Sequence, residues 1–297
     1  MFPEIAALDL FASVVQLGSV SKAATAHGIS QPSASSRIRG LERQLGVQLL
    51  DRSPSGSTPT RHGTIVAGWT DAILRAALEL EAGMEALKNE QAGRLRIAAS
   101  YTIAEYLLPR WLGRFLRDHE SDTISLDVEN STAVLNQLGL GAADLGFIET
   151  PLDTPTMQQR IVGHDELVTV VASDHAWASR SSVSLAELAT TPLVMREEGS
   201  GTRQALKTSL VSAGLTPPPS VIELGSTAAV RSAVMSGNSP TVISRLAVAA
   251  ELGTGSLVEV PVDDLDITRE LRAVWPRAKP LSKLAHTFLD SLEDEPL

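Results

Sequence analysis

Apolar residues recur at helical spacing from the start of the chain: Ile5, Leu8, Phe11, Ala12 and Val15 fall within residues 3–17. Gly18 ends that run. Ser19 or Ser21 is placed to cap a second, short helix, SKAATAHG, because a hydroxyl accepts a bond from an unpaired N–H at a helix start. Gly28 closes it, since glycine tolerates the positive φ of a tight turn. A third helix is predicted over Gln31 to Leu45, capped by Ser30, with Pro32 in its first turn, where a missing N–H costs nothing. Ile38, Leu41 and Leu45 form its buried stripe, and Gln31, Ser33, Ser35, Arg37 and Arg39 lie largely elsewhere on it.

Two β-prone pieces flank SPSGS in residues 47–60 and read as a winged turn. From Thr60 to about Asn89 the pattern is helical again. Val66, Trp69, Ile73, Ala76, Leu80 and Leu87 recur at three- and four-residue spacing, a seam that packs helix on helix. Gln91-Ala92-Gly93 reads as a hinge. Beyond it, short apolar strands (LRIAAS 95–100, ISLDVEN 124–130, ADLGFIE 143–149, LVTVVAS 167–173) alternate with helices at 101–117 and 132–140. The alternation continues through PLVMRE, a helix from Thr202, SVIELGS, a helix from Thr227, TVIS and LVEVPV. It ends with a return strand at 267–275 and a last helix, SKLAHTFLDSLE. Such alternation predicts an α/β body with largely parallel sheets.

Composition changes this picture at a few points. With 297 residues the chain is long enough for about two domains. It has no cysteine, which excludes disulfides, thiolate metal sites and a thiol nucleophile. Its first residues carry Glu4 and Asp9 and no base, unlike a secretory signal, so the protein is expected in the cytoplasm. The net charge of −10 disfavours nucleic acid only if it is evenly spread, and it is not. Residues 1–62 carry +2 and the remainder −12, which suggests a small DNA-facing domain on an acidic body.

Two short helices joined by a glycine-containing turn make a helix-turn-helix. The second begins with side chains that hydrogen-bond base edges: Gln pairs with adenine and Arg with guanine. On spacing alone, an ordinary capped helix pair in an enzyme fits equally. The stretch Gly18 to Gly63 resembles the LysR-type transcriptional regulators. Ala23 and Ala24, Ser30-Gln31-Pro32, Ser35, Ile38, Leu41-Glu42, Leu45-Gly46, Leu49, Arg52, Thr60 and Gly63 fall in the register of that family's motif. Gly28, Ser36, Gly40 and Pro59 depart from it, at places often held by bulkier, longer or basic side chains. The resemblance implies DNA contacts from Ser21, Ser30, Gln31, Pro32, Ser33, Ser35, Arg37, Arg39 and Arg52. It also implies that the long helix is a dimerisation linker, with dimers joining into tetramers on double-stranded promoter DNA.

The body then resembles the family's effector domain, a two-lobed fold like the periplasmic binding proteins. The expected organisation is a winged helix-turn-helix over 1–62, a linker helix and hinge over 63–92, and an effector domain over 93–297. Within the last, lobe I would be 93–165 plus 267–297 and lobe II 166–266, with a ligand cleft between. Helix starts beyond strand ends suit anions. Four such starts carry hydroxyls: Ser100 and Thr102; Ser131 and Thr132; Ser200, Gly201 and Thr202; Ser226 and Thr227. For each, plain N-capping is the competing explanation. The R-E-x-G-S-G-T-R stretch, 196–203, resembles a branch of the family that includes regulators of sulfur and carbon assimilation. It points to a small anionic or carboxylate effector. Arg196 and Arg203 add positive charge there unless Glu197 and Glu198 pair with them, and Ser244 is placed to face the ligand.

Catalytic motifs are missing from the sequence. The six histidines lack metal-ligand spacing, and there is no G-x-S-x-G elbow, P-loop or dinucleotide glycine motif. The expectation is therefore a regulator with no enzymatic activity, no metal and no cofactor beyond its effector. The alternative is a cytoplasmic small-molecule-binding protein or enzyme whose N-terminal helices only dimerise it.

Overall fold

The computed structural model describes residues 3–53, 56–91, 93–151 and 155–292, and their side chains apart from those of 52, 53, 79, 82 and 85–91. The chain divides into two compact units, Met1–Ala82 and Gly83–Leu297.

The first unit is a three-helix domain with a wing. Helices α1 (Ile5–Leu17), α2 (Val20–Ala26) and α3 (Gln31–Leu45) are followed by strands β1 (Leu50–Ser53) and β2 (Gly56–Pro59) and helix α4 (Arg61–Gln91). Ser19, rather than Ser21, caps α2 by accepting from Lys22 N at 3.3 Å, and Ser30 caps α3 by accepting from Ser33 N at 3.3 Å. Gly18, Gly28 and Gly46 adopt the positive φ that ends each helix. The core joins Leu8, Leu10, Phe11 and Val14 of α1 to Ala23 and Ala24 of α2 and to Ala34, Ile38 and Leu41 of α3. Glu42, one of the residues in family register, fixes the start of the wing: its Oε1 accepts from Leu49 N at 2.9 Å and Leu50 N at 3.2 Å. Gly63 serves the same junction. A Cβ there would stand 2.0 Å from Leu49 O, so only glycine lets the first turn of α4 lie against the wing.

The second unit contains β3 (Arg94–Ser100), α5 (Tyr101–Tyr106), α6 (Leu108–Phe115), β4 (Thr123–Glu129), α7 (Ser131–Gly139) and β5 (Leu145–Ile148). These are followed by β6 (Met157–Ala172), α8 (Leu185–Thr190), β7 (Leu193–Arg196), α9 (Gly201–Ser212), β8 (Ser220–Leu224) and α10 (Thr227–Ser236). Last come β9 (Thr241–Ser244), α11 (Arg245–Thr254), β10 (Leu257–Glu259), β11 (Ile267–Pro276) and α12 (Lys283–Asp290). The main sheet has the order β10-β6-β11-β5-β3-β4, with β9 also paired to β6, and β7 and β8 form a separate pair.

Largely parallel sheets are not what forms. β3 is parallel to β4 and β5, and β7 to β8, but every pairing of β6 and β11 is antiparallel. The reason is topological: β6 and β11 are the crossover strands between lobes and run against each other along ten residues of β11, from Ile267 to Pro276. β6 is a single 16-residue strand, so a lobe boundary at 165/166 falls inside it. Its first half, MQQRIVGHDE, is polar and gives no strand signal. The single helix expected over 101–117 is two, broken at Leu107, because Pro109 in the first turn of α6 has no N–H to donate to the preceding turn. Helices α8 and α11 add to the elements that the apolar pattern predicts. One lobe closes over Leu95, Ile97, Trp111, Phe115, Phe147 and Phe288, the other over Leu167, Val171, Leu188, Leu193, Leu206 and Leu210. Among the described residues no helix is long and apolar enough to cross a membrane.

Candidate functional site

The first candidate surface is the start of α3. Gln31, Pro32, Ser33, Arg37 and Arg39 are exposed there and Ser35 is half-buried, on a helix whose opposite face is held in the core by Ala34, Ile38 and Leu41. Ser30 and Ser33 are tied to each other, Ser30 Oγ donating to Ser33 Oγ at 2.9 Å, so part of their hydrogen-bonding capacity serves the cap. Ser21 is exposed on α2, its carbonyl accepting from Thr25 Oγ1. Arg52 lies on β1, paired in backbone register with Ser57; its side chain lies outside the described residues, as does that of Leu87 in the linker seam. On α4, Val66 packs against the core of the first unit. Ile65, Trp69, Ile73, Leu80 and Met84 remain exposed, Trp69 by 65%. A groove of about 420 Å³ runs along that apolar face, lined by Leu8, Leu45, Val47, Val66, Trp69 and Ile73.

The second candidate site lies between the lobes of the larger unit. All four predicted helix starts are there, and a residue missed at the sequence level joins two of them. Arg269, on β11 and 6% exposed, donates through Nε and Nη2 to Asp165 Oδ2 at 2.9 and 2.6 Å. Its Nη1 reaches Thr202 Oγ1 at 3.0 Å and Glu149 Oε2 at 3.3 Å, and its Nη2 reaches Thr102 Oγ1 at 3.2 Å. Thus Thr102 from one lobe and Thr202 from the other meet on one guanidinium. Asp165 Oδ1 accepts in turn from Ser244 Oγ at 2.8 Å, so Ser244 is engaged within the protein. Arg269 and Asp165 gave a usable signal in hindsight. Ile267, Arg269 and Leu271 share the inward face of β11, and a charge at an inward strand position needs a buried partner.

The other predicted residues divide between capping and cleft. Ser226 is a plain cap, accepting from Ala229 N at 3.2 Å. Asn130 caps α7 by accepting from Ala133 N at 3.0 Å, which frees Ser131; Ser131 Oγ accepts from Glu149 N at 3.4 Å. Ser100 and Ser200 stand at the cap positions of α5 and α9 without making a side-chain cap bond. Thr227 Oγ1 accepts from Arg196 Nη1 at 3.0 Å. Arg196 is matched bidentately by Glu197 at 2.8 and 2.9 Å, and Tyr101 lays its ring 4.6 Å from the Arg196 Cζ. Arg203 pairs with Glu198 at 2.9 Å and Glu223 at 2.5 Å, a partnership that lowers the Glu223 pKa. The intramolecular pairing of both arginines therefore holds.

The cleft is closed by direct contacts. Thr132 donates through N and Oγ1 to Gly199 O, both at 3.3 Å, and Asn130 Nδ2 donates to Glu198 O at 3.4 Å. Gly199 makes this possible: its φ of 87° suits glycine, and a Cβ would lie 3.0–3.1 Å from Asn130 and Thr132. Arg231 adds a contact to Tyr106 at 3.3 Å; burial raises that phenol's pKa, with neighbouring Glu105 acting in the same direction.

Comparison with known proteins agrees with both halves. Residues 5–64 match the bacterial regulatory helix-turn-helix proteins of the lysR family, and residues 88–296 match the LysR substrate binding domain. An HTH-type transcriptional regulator of Mycobacterium tuberculosis is 39% identical over 282 residues, covering 92% of this chain and 90% of the relative. The RuBisCO operon transcriptional regulator of Allochromatium vinosum is 32% identical over 288 residues, covering 97% and 95%. Among solved structures, the Synechocystis CcmR regulatory domain in complex with 2-PG has a TM-score of 0.62 at 28% identity, covering 67% of this chain and 95% of that one. Full-length CbnR complexed with its target DNA shares the fold, with a TM-score of 0.54 at 21% identity over 98% of each chain. The chain belongs to the LysR family of DNA-binding transcriptional regulators, with an N-terminal helix-turn-helix domain and a two-lobed effector-binding domain.

Proposed function

We propose that this regulator reads promoter DNA with the start of α3 and responds to a small anion held between its lobes, without catalysing a reaction. Gln31, Ser35, Arg37 and Arg39 address the major groove, Ser21, Ser30, Pro32 and Ser33 shape the approach, and Arg52 on the wing neutralises a phosphate. A second copy covers the exposed Trp69–Ile73–Leu80 face of α4, and dimers pair into tetramers. The protein acts in the cytoplasm, where its DNA is.

The observation that carries the effector reading is the burial of two guanidinium groups, Arg196 and Arg269, among the starts of α5, α9 and α10. Ser100, Thr102, Ser131, Thr132, Ser200, Gly201, Thr202 and Thr227 supply hydroxyl and backbone donors around them, while Ser226 serves as a cap. An effector that binds there displaces contacts made only in the closed state, and so shifts lobe closure by its differential affinity. The first experiment is a titration of the full chain against the duplex upstream of its own gene, at two salt concentrations, with random DNA as control. Selective, salt-sensitive binding is expected, which Gln31→Ala and Arg37→Ala weaken and make less selective. Binding no better than to random DNA would sink the assignment of α3. Trp69→Asp is expected to shift the protein toward monomer in sedimentation.

A further inference from the structure

Among the described residues of the cleft, the two buried guanidinium groups, Arg196 and Arg269, leave the buried carboxylate of Glu149 short of partners. Arg196 is matched by Glu197 and Arg269 by Asp165, each through two nitrogens. Glu149 has only the longer bond from Arg269 Nη1 to Oε2, at 3.3 Å. Its Oε1 is buried and meets no donor among the described residues, and the side chain as a whole is 4% exposed. Ser100 Oγ is also buried without a partner among the described residues. The two follow adjacent strand ends: β3 and β5 pair in parallel with Ala99 opposite Phe147, which puts Ser100 level with Ile148, one residue before Glu149.

The start of α9 comes up against this carboxylate. A Cβ on Gly201 would lie 3.0 Å from Glu149 Oε2, so the glycine is what lets the helix start approach it. An anion seated at that helix start therefore stands beside a negative charge. A purely anionic ligand would be repelled by Glu149, whereas a ligand with a donor next to its anionic group would satisfy an acceptor that the protein leaves bare.

We propose that the effector is bipolar: an acid whose anionic group sits at the helix starts and whose adjacent carbon carries a hydroxyl or an ammonium that donates to Glu149 Oε1. This rests on the reading that the cleft takes an anionic effector. Glu149 is then the residue that selects among small acids, and Ser100 supports the same end of the ligand.

The test uses full-length protein and matched acids: acetate, glycolate and glycine; propionate, lactate and alanine; succinate, malate and aspartate. Affinity is read by calorimetry on wild type, Glu149→Gln and Ser100→Ala, with circular dichroism melts showing that each variant is folded. In at least one set a hydroxyl or ammonium acid is expected to bind about tenfold or more tighter than its plain parent. Which of the two wins identifies the donor. Glu149→Gln should cut that preference below about threefold, and Ser100→Ala should weaken the preferred acid by about threefold or more. A plain parent that binds as tightly, or a preference that survives Glu149→Gln, overturns the inference while leaving the cleft as the anion site. Failure of every acid to bind overturns it. Binding that Thr202→Val and Ser131→Ala leave untouched lies outside the cleft and refutes the underlying reading as well.

Discussion

Replacing Arg269 by methionine should be among the most destabilising single changes in the effector unit. The guanidinium makes five hydrogen bonds, two to Asp165 and one each to Glu149, Thr202 and Thr102. Methionine fills much of the volume but leaves Asp165 and Glu149 buried without a cation. Breaking a buried pair in this way costs about 3–5 kcal/mol, much of it the penalty of the abandoned charge. Against a total of roughly 5–15 kcal/mol this is a large share. At a urea slope of about 2 kcal/mol/M the transition should move down by roughly 1.5–2.5 M. Trp111 and Trp177 are buried in the two lobes and report the transition by fluorescence. Adding Asp165→Asn removes one of the stranded charges, so the double variant should be more stable than Arg269→Met alone even though it carries one more substitution. A loss below about 1 kcal/mol, or a double variant no better than the single, would show that the network is not what holds the lobes together.

Two further predictions concern sites away from the cleft. Gly63→Ala should destabilise the DNA-binding unit by about 2 kcal/mol or more, because its Cβ would meet Leu49 O at 2.0 Å and backbone must move; a thermal melt with unchanged midpoint would contradict this. Burial alone would raise the Asp144 pKa, but bonds from Arg96 at 2.9 Å and Lys279 at 2.7 Å outweigh it and hold the carboxyl below its ordinary value. A depressed carboxylate stabilises the fold above its unfolded pKa, near 3.8, and loses that contribution as pH falls through the lower folded value. Asp144→Asn should therefore lower stability at neutral pH and flatten the acid limb of the stability–pH profile below about pH 4, measured by urea unfolding.

How much of this was legible in the sequence depended on the range of the interaction. The helices of the DNA-binding domain were readable because their caps, glycine stops and apolar stripes act within a few residues: Ser30 with Ser33, Gly46 after Leu45, Ile38 with Leu41. Helix α4 announced itself by a seam of spacing alone, and Trp69 and Leu80 of that seam are exposed. The four helix starts were legible as a group. Their division into a cap at Ser226 and hydroxyls bonded to buried arginines was not, since both roles select Ser and Thr.

What the sequence determined by itself was therefore local: the winged helix-turn-helix, the long helix α4, the order of most strands and helices, and, through many fixed offsets, the family. Only the tertiary structure decided the mixed sheet, because the pairing of β6 with β11 joins residues about a hundred positions apart, and the polar first half of β6 carries no strand pattern of its own. It also decided the centre of the cleft. Arg269 meets Asp165, Glu149, Thr102 and Thr202 across sequence separations of 67 to 167 residues, and no periodicity encodes such a meeting. A buried charge can be suspected from its place on an inward strand face, but its partners are chosen by the fold that brings them within bonding distance.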